Sequence, residues 1–291
     1  MHKSQITSIF NKKHYQTEIE PSKLIVTCVL AIFGICMIIP FIWMISASMK
    51  YEVDVFKFPI EWIPERTRVI QNYRDVWAGE APFALYYLNS IKVTVISTFI
   101  ALLIASLAAY GFSKIRFVGR DKLFLLFIAT MVIPDQITIL PRFMYFKWLG
   151  IYDSHLCLIF SVMFSITAIF FLRQAMNSIP MELSESARMD GAGHLVIYLK
   201  IILPLARPSL ATLAILKFIW TWNDYQNPLI FLTSPKLFTI QLGVKMFSDR
   251  YGSFYSLIMA AAVSAILPLF IVFFIGQKNV IEGITAGSVK G

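Results

Sequence analysis

The stretch that decides the fold lies at residues 178–208, which read SIPMELSESARMDGAGHLVIYLKIILPLARP. It is the longest stretch in the second half of the chain that is not apolar enough to lie in lipid, and long apolar runs flank it on both sides. Its charged residues are spaced as on the surface of a helix, and they include Glu182, Glu185, Arg188 and Asp190. The pattern therefore predicts a polar connector between two membrane-embedded segments.

The first half of this connector carries signals for the start of a helix. Pro180 fits a first helical turn, where its missing N–H costs nothing. Asn177 or Ser178 is predicted to cap that turn with its side-chain oxygen. Glu182 and Glu185 would then place negative charge at the positive end of the helix dipole, so we expect a short helix here.

The second half of the connector begins with a glycine break. Gly191 and Gly193 are predicted to end the first helix, because glycine readily adopts the left-handed conformation found at helix ends. A second helix is predicted over 194–203, and it runs up to Pro204. We therefore expect a short helix, a glycine turn and a second helix that returns to the membrane.

The composition of the whole chain is that of a membrane protein. Of its 291 residues, 57% are hydrophobic and 15% are charged, whereas a soluble domain carries about 25% charged residues. The apolar residues form long continuous runs, without the period-two alternation of an outer-membrane barrel. The sequence therefore predicts an all-α, polytopic membrane protein.

Six apolar runs predict six transmembrane helices, at 24–45, 89–112, 123–140, 155–172, 209–232 and 256–276. The fifth run is interrupted by Lys217 and by residues 222–225 (WNDY). The first run is too long for the core of a signal peptide, which spans about 7–15 residues, so we expect it to be retained. The segments between spans at 46–88, 141–154 and 233–255 are predicted to be loops. Because we find no repeat or linker, we expect one membrane domain over 24–291, preceded by a polar tail over 1–23.

One face of the second run carries small residues at four-residue spacing, namely Ser97, Ala101, Ala105 and Ala109. Small side chains let the backbone of another helix approach closely. This stripe is therefore predicted to be a packing face, where a neighbouring helix covers the small residues.

The distribution of positive charge predicts the orientation in the membrane. With the N-terminus in the cytoplasm, the short cytoplasmic segments hold more Lys and Arg than the external ones, as the positive-inside rule requires. Both termini and the connector at 178–208 are then cytoplasmic. The net charge of +9 is thus interpreted as a topology signal beside anionic lipid, and we expect no nucleic-acid partner.

Within the connector, a set of residues keeps a fixed spacing: Glu185, Ser186, Ala187, Gly191, Leu203 and Pro204. This set resembles the EAA loop of binding-protein-dependent ABC importer permeases, whose pattern is Glu-Ala-Ala, three residues, Gly, nine residues and Ile-x-Leu-Pro. Every spacing matches, and the one departure is Ser186 in place of the first Ala. Without this spacing, the stretch would be interpreted as an ordinary amphipathic connector.

The resemblance implies that residues 173–208 form a coupling loop, which docks in a cleft of a separate ATPase subunit. Glu185 would contact the ATPase surface, Ala187 would let the helix seat closely, and Gly191 would permit the turn. The coupling residues that the resemblance implies are Glu182, Glu185, Ser186, Ala187, Asp190, Gly191, Ala192, Leu203 and Pro204.

The likeness extends to residues 171–174 (FLRQ), 220–225 (WTWNDY) and 282–291 (EGITAGSVKG), which are similar to the carbohydrate-uptake group of these permeases. The resemblance implies a type I ABC importer permease fold with six transmembrane helices in a bacterial cell membrane. The implied partners are a second homologous permease in a heterodimer, two ABC ATPase subunits and an extracytoplasmic solute-binding protein. The implied substrate is a carbohydrate, either an oligosaccharide or a sugar derivative.

The chain lacks the motifs of several enzyme classes. It has no GxxxxGK[ST] phosphate loop and no HExxH motif, and its cysteines and histidines are scattered without metal-binding spacing. We therefore expect a transport subunit without cofactors of its own, and the resemblance implies that partner ATPase subunits bind ATP and Mg²⁺. The alternative is a secondary transporter that needs no ATPase, which would favour inverted repeats and mid-membrane carboxylates.

Ionisable groups inside the predicted spans are candidates for a substrate pathway, because such groups are costly in lipid. The polar and aromatic residues that could line it are Trp220, Trp222, Asn223, Asp224, Tyr225 and Asp135. Aromatic faces can stack on the C–H face of a sugar, while carboxylate and amide groups bond its hydroxyls. The alternatives are an interfacial belt, since Trp and Tyr favour the headgroup level, and a break in the helix.

Overall fold

The computed structural model describes residues 21–79, 81–249 and 254–285, and within these ranges every regular element is helical. The predicted polar tail at 1–23 lies outside the described residues except for its end at 21–23. The last part of the C-terminal match, 286–291, also lies outside them. The predicted all-α class is confirmed.

The helices follow one another along the chain as α1 (Pro21–Ser48), α2 (Val69–Ala78), α3 (Phe83–Lys114), α4 (Arg120–Ala129), α5 (Asp135–Trp148), α6 (His155–Val162), α7 (Ile166–Asn177), α8 (Glu182–Met189), α9 (His194–Ile197), α10 (Leu203–Leu205), α11 (Arg207–Trp222), α12 (Gln226–Phe231), α13 (Ile240–Asp249) and α14 (Tyr255–Thr285). Among them α1, α3 and α14 are long and apolar enough to cross a membrane alone. In lipid, a helix satisfies its own backbone N–H and C=O groups, which is why continuous apolar runs form helices. These three confirm the first, second and sixth predicted spans.

The other three predicted spans are each broken. The axes bend by 97° between Arg120–Val132 and α5, by 45° between α6 and α7, and by 76° between His194–Leu205 and α11. The prediction of single continuous helices at 123–140 and 155–172 is therefore wrong. The third bend precedes the predicted span 209–232, in which α11 ends at Trp222 and α12 follows, so the interruption predicted at 222–225 is confirmed. If each bent pair counts as one span, the described ranges hold up to six spans.

Local sequence explains these breaks. Ile133 is extended, with ψ 115°, because a proline pushes the preceding residue out of the α region, and Pro134 then leads into α5. Ser165 is also extended, and its side chain accepts a hydrogen bond from the N–H of Ala168 at the start of α7. At the third break, Ala206 leaves helical geometry with ψ 2°. The first two breaks thus coincide with residues that favour a helix end, and at the third Pro208 fits the first turn of α11.

Short helices occupy parts of the predicted loops. α2 lies within 46–88, α5 extends well into 141–154, and α13 lies within 233–255. These helices carry polar residues on one side, so a search for long apolar runs overlooks them. The prediction of loops is wrong over these three helices.

The centre of the fold is α3. Its predicted packing stripe is confirmed, because all four stripe residues have exposures of 2% or less. The half of the stripe nearer Lys114 packs in one core cluster with residues of α7, including the fully buried Leu172. At the other end of α3, Phe83 belongs to a second core cluster with residues of α11, α13 and α14. Both candidate site regions are therefore held by the same helix.

Candidate functional site

The connector between α7 and α11 forms the helix, turn and second helix that the sequence predicts. Its first helix, α8, starts at Glu182 and not at Pro180. Ser178 follows the end of α7, and its hydroxyl donates to the carbonyl of Ala175 at 2.8 Å. The predicted capping by Asn177 or Ser178 is therefore wrong, because α7 extends further than expected and both residues belong to its end.

Gly191 ends α8 as predicted. Its φ of +82° lies in the left-handed region, which glycine adopts without steric cost. The N–H of Gly191 donates to the carbonyl of Arg188, and the N–H of Ala192 donates to that of Ala187, both at 2.9 Å. This pair of bonds is a Schellman motif, which satisfies carbonyls at the helix end. Gly193 is extended, with φ −73° and ψ 164°, so the left-handed conformation expected there is wrong.

The second helix of the connector is irregular. It runs through α9, a π-helical turn at Tyr198–Ile202 and the short α10. The π turn lies just before Pro204, whose ring and missing N–H prevent the ordinary α-helical bond to the carbonyl of Lys200. The bend at Ala206 follows, and the chain then enters α11.

The face of α8 that points away from the core mixes charge with apolar area. Glu182, Glu185 and Ser186 are exposed, and the side chain of Met189 is 89% exposed. Ala187 is half-buried against the core cluster of α3 and α7. The other predicted coupling residues divide into the exposed Asp190, Gly191 and Pro204 and the half-buried Ala192 and Leu203. A small residue thus lets α8 lie close to the body of the protein while its charged face stays accessible.

Arg173 anchors the start of the connector. Its Nη2 lies 3.0 Å from Oδ1 of Asp121, and its Nε donates to the carbonyl of Phe112 at 3.2 Å. Its guanidinium carbon also lies 3.9 Å from the ring centroid of Phe124. A planar guanidinium can make all of these contacts at once, so Arg173 fixes the direction in which α7 enters the connector.

The second predicted group, at 220–225, lies where α11 ends, and its two tryptophans occupy different environments. Trp222 is 1% exposed, and its Nε1 donates to the carbonyl of Ala265 in α14 at 2.9 Å. Trp220 is 60% exposed. The two indoles do not form one aromatic surface, because Trp222 is part of the core.

The two carboxylates predicted for the substrate pathway are both engaged in local bonds. Asp224 accepts hydrogen bonds from the N–H of Asn227 at 3.1 Å and from its Nδ2 at 2.7 Å. This carboxylate therefore stabilises the start of α12. Asp135 is exposed in the first turn of α5 and lies 2.9 Å from Nη2 of Arg142, so its ion pair is within its own helix.

Two side chains of α13 join the 220–225 group, although the sequence predicts a loop there. Nε2 of Gln241 donates to Oδ1 of the exposed Asn223 at 3.3 Å. Nζ of Lys245 lies 5.8 Å from the ring centroid of Tyr225. Residues four apart share one face of a helix, and this spacing is the signal that could have identified them.

A small cavity adjoins Asp224. It measures about 10 Å³, which is room for roughly one water molecule. Thr221 and Thr239 line it with Asp224. A sugar ring does not fit there, so in this conformation a carbohydrate could reach only the exposed members of the group.

In the ranges that the structure covers, no cluster of three His, Cys, Asp or Glu side chains could hold a metal ion.

Residues 97–285, which include the connector and the 220–225 group, match the family described as "Binding-protein-dependent transport system inner membrane component". The chain is 34% identical over 264 residues to the putative ABC transporter permease protein ORF2 of Caldicellulosiruptor sp. (strain Rt8B.4), covering 90% of this chain and 95% of the relative. It is 29% identical over 270 residues to the arabinooligosaccharides transport system permease protein AraQ of Bacillus subtilis (strain 168), covering 92% and 96%.

A solved structure shares the fold. It is a chain in the crystal structure of a bacterial ABC transporter involved in the import of the acidic polysaccharide alginate, with a TM-score of 0.79 and 26% identity. The match covers 88% of this chain and 95% of the other, which confirms the predicted type I importer permease fold. The chain therefore belongs to the family of binding-protein-dependent transport system inner membrane components, and it is a multi-pass permease subunit of an ABC transporter.

Proposed function

We propose that this chain is one of two permease subunits of an ATP-driven importer for a carbohydrate, either an oligosaccharide or a sugar derivative. The relative AraQ is named for arabinooligosaccharides, and the structurally similar chain comes from a transporter of the polysaccharide alginate. The family description supports a separate binding protein that delivers the solute. The second permease would resemble this chain, and the solute would pass between the two subunits.

The observation that carries the proposal is the exposed α8 with its Schellman end. Glu182, Glu185 and Asp190 supply negative charge on and beside this helix, and Met189 supplies apolar area. A complementary cleft on an ATPase subunit would therefore combine basic and apolar groups. Gly191 reverses the chain directly after α8, so the helix can project into such a cleft and return.

In the proposed mechanism, two ATPase subunits bind ATP and Mg²⁺ and close on each other. Closure moves the α8 helix that each ATPase holds, and the spans rock from an inward-open to an outward-open arrangement. This chain supplies no ATP site, so its contribution is to convert the displacement of α8 into a rearrangement of its spans. Ala187 keeps the helix seated on the body of the permease during this movement.

The proposed orientation places α8 and both termini in the cytoplasm of a bacterial cell. It follows from the excess of Lys and Arg in the cytoplasmic segments. Trp220, Asn223 and Tyr225, together with Gln241 and Lys245 of α13, would then lie towards the external side. We assign sugar contact to this set, in which Tyr225 and Gln241 are half-buried and the other three are exposed, and we assign Trp222 and Asp224 to the support of the fold.

The test is an affinity purification of the tagged chain in mild detergent, followed by identification of the proteins that co-purify. We expect a second permease and an ATPase. Glu185→Lys and Gly191→Pro should each lower the amount of co-purified ATPase while the second permease remains. Glu65→Lys is the matched control, because Glu65 is an exposed acid far along the chain from α8.

Two results would contradict the proposal. The first is a chain that purifies alone or as a homo-oligomer, with no ATPase even after crosslinking through position 185. That result would favour a secondary transporter. The second is full ATPase binding and transport by both α8 variants, which would remove the coupling role from this helix.

A further inference from the structure

One face of α3 carries three buried polar side chains, Ser106, Tyr110 and Lys114, whose exposures are 2%, 5% and 3%. They follow one another at four-residue spacing, so they stack along one face of the helix. Polar groups inside a membrane protein are costly unless they find partners. Each of the three finds its partner in the connector that carries α8.

The two outer contacts lie on opposite sides of α8. Nζ of Lys114 donates to the carbonyl of Ile179 at 2.6 Å, just before α8 begins. The hydroxyl of Tyr110 lies 3.1 Å from Nδ1 of His194, just after the glycine turn. One face of α3 therefore holds both the segment that enters α8 and the segment that leaves it.

The third contact reaches further along the connector. The hydroxyl of Ser106 donates to the carbonyl of Leu103 at 3.0 Å. Because a serine has a single hydroxyl proton, the bond at 2.7 Å between Ser106 and Tyr198 has the tyrosine as donor. Tyr198 is the first residue of the π turn. The return segment is thus fastened to α3 at two points.

The opposite end of α3 makes a similar set of bonds. Nδ2 of Asn89 donates to the carbonyls of Lys236 at 2.9 Å and Phe238 at 3.0 Å. Oγ of Ser90 accepts from the N–H of Ile240 at 2.7 Å, where α13 begins. Asn89 and Ser90 are buried, with exposures of 8% and 3%. The segment that these bonds hold leads directly to Gln241 and Lys245.

We propose that α3 is a rigid rod that transmits the movement of α8 to the segment at 236–240. This inference rests on the proposed function, in which ATPase subunits displace α8. α3 is one continuous helix of 32 residues without a proline. From Ser90 to Lys114 it spans about 36 Å, which exceeds the hydrocarbon thickness of a bilayer. Ala105 and Ala109 of its buried stripe pack in one core cluster with α7, so the two helices are expected to move together.

The proposal assigns positioning roles to residues at both ends of the rod. Loss of the bonds at Tyr110 and Tyr198 would let the connector slip along α3. Loss of the bonds at Asn89 would let the segment at 236–240 slip at the other end. Because both losses interrupt one mechanical link, their effects should not add.

The experiment reports on the far end of the rod. The purified complex with its ATPase, carrying Lys236→Cys in a background where Cys28 and Cys36 are serine, is treated with a membrane-impermeant maleimide. The labelling rate is compared with and without ATP, Mg²⁺ and vanadate. Position 236 is exposed, and the remaining Cys157 is buried.

Expected results follow from the strength of a hydrogen bond. Tyr110→Phe combined with Tyr198→Phe should reduce the ATP-dependent change in labelling rate about 25-fold, because two ordinary hydrogen bonds are lost and each shifts an equilibrium about fivefold. The ATPase should co-purify in full. Adding Asn89→Ala should produce no further loss. Ser113→Ala is the control, because among the described residues its hydroxyl bonds within α3, to the carbonyl of Tyr110.

An unchanged ATP response in the double tyrosine variant would overturn the proposal. So would a wild-type complex that binds ATPase but shows no ATP response at position 236, or additive effects of the two ends. Reduced ATPase binding by the tyrosine variants would show that the two tyrosines act in docking of the ATPase. That result would also overturn the proposed transmission through α3. A wild-type chain that binds no ATPase contradicts the proposed function instead, so the two failures can be distinguished.

Discussion

Replacing Gly191 with alanine tests the end of α8 without adding a steric clash. Within the described part of the chain, no atom beyond Gly191 and its two chain neighbours lies within 4 Å of the place where the new Cβ would stand. The cost is therefore conformational, because Gly191 has φ +82°. A left-handed residue other than glycine costs about 1–2 kcal/mol. We expect the Schellman bonds of α8 to open more often by a factor of about 5 to 30.

Hydrogen exchange measures this opening directly. The N–H groups of Gly191 and Ala192 donate the two Schellman bonds, so peptides that contain them should exchange faster in the Gly191→Ala variant. Gly193→Ala is the matched control, since Gly193 is extended and an added Cβ would meet no described atom beyond its chain neighbours within 4 Å. There alanine should be neutral or should stabilise by about 0.4–1 kcal/mol. Gly191→Asn should recover part of the protection, because asparagine tolerates the left-handed region.

The reasoning would be refuted if Gly191→Ala left the exchange of this peptide unchanged. It would also be refuted if Gly193→Ala increased exchange as much as Gly191→Ala did. In either case the left-handed turn would not determine the stability of the end of α8.

Three further predictions concern stability, measured by unfolding in detergent. Trp222→Ala should destabilise by about 3–5 kcal/mol because the indole is 1% exposed, whereas Trp220→Ala, at a side chain that is 60% exposed, should cost far less; equal losses would contradict the division between core and surface. Gly243→Ala should destabilise by about 1–3 kcal/mol, since its Cβ would overlap the ring of Tyr86 in α3; a neutral result would show that the ring moves freely. At Asp153, burial raises the carboxyl pKa, but hydrogen bonds from 233–234 outweigh it and lower the pKa from 3.8 to about 2. The charged Asp153 carboxylate stabilises the fold fully above the pKa of the unfolded state, and this stabilisation disappears as pH falls towards the pKa of the folded state. Asp153→Asn should therefore remove this loss of stability in acid. A series of unfolding midpoints measured at different pH values would detect the difference.

Span number and helix class could be predicted from the sequence because lipid imposes a simple condition on the backbone. The breaks could not be predicted in the same way. Pro134 lies inside an apolar run, and only the extended conformation of Ile133 shows that the helix ends there. Ser165 acts as a cap in another apolar run, where serine can equally lie within a helix. A proline or serine in an apolar run can lie within a helix or end it, and tertiary packing decides which occurs.

In the candidate site, the sequence likewise predicts the backbone elements but not the directions of the side chains. The motif spacing located Gly191 and α8, since a turn residue and its helix are close in sequence. It did not separate Trp220 from Trp222, because neighbours on a helix of 3.6 residues per turn point in different directions and the orientation depends on α14. Gln241 and Lys245 were missed because their helix is short and amphipathic.

The sharp bend after Val132 has a consequence for what surrounds the chain in the membrane. The arm Arg120–Val132 is about 20 Å long, whereas the hydrocarbon layer is about 30 Å thick. α5 turns away at 97°, so it adds almost nothing to the depth reached. The free backbone groups at this bend need water or protein around them, since lipid cannot bond them. At this corner, water or a neighbouring protein chain must therefore replace lipid around the bend.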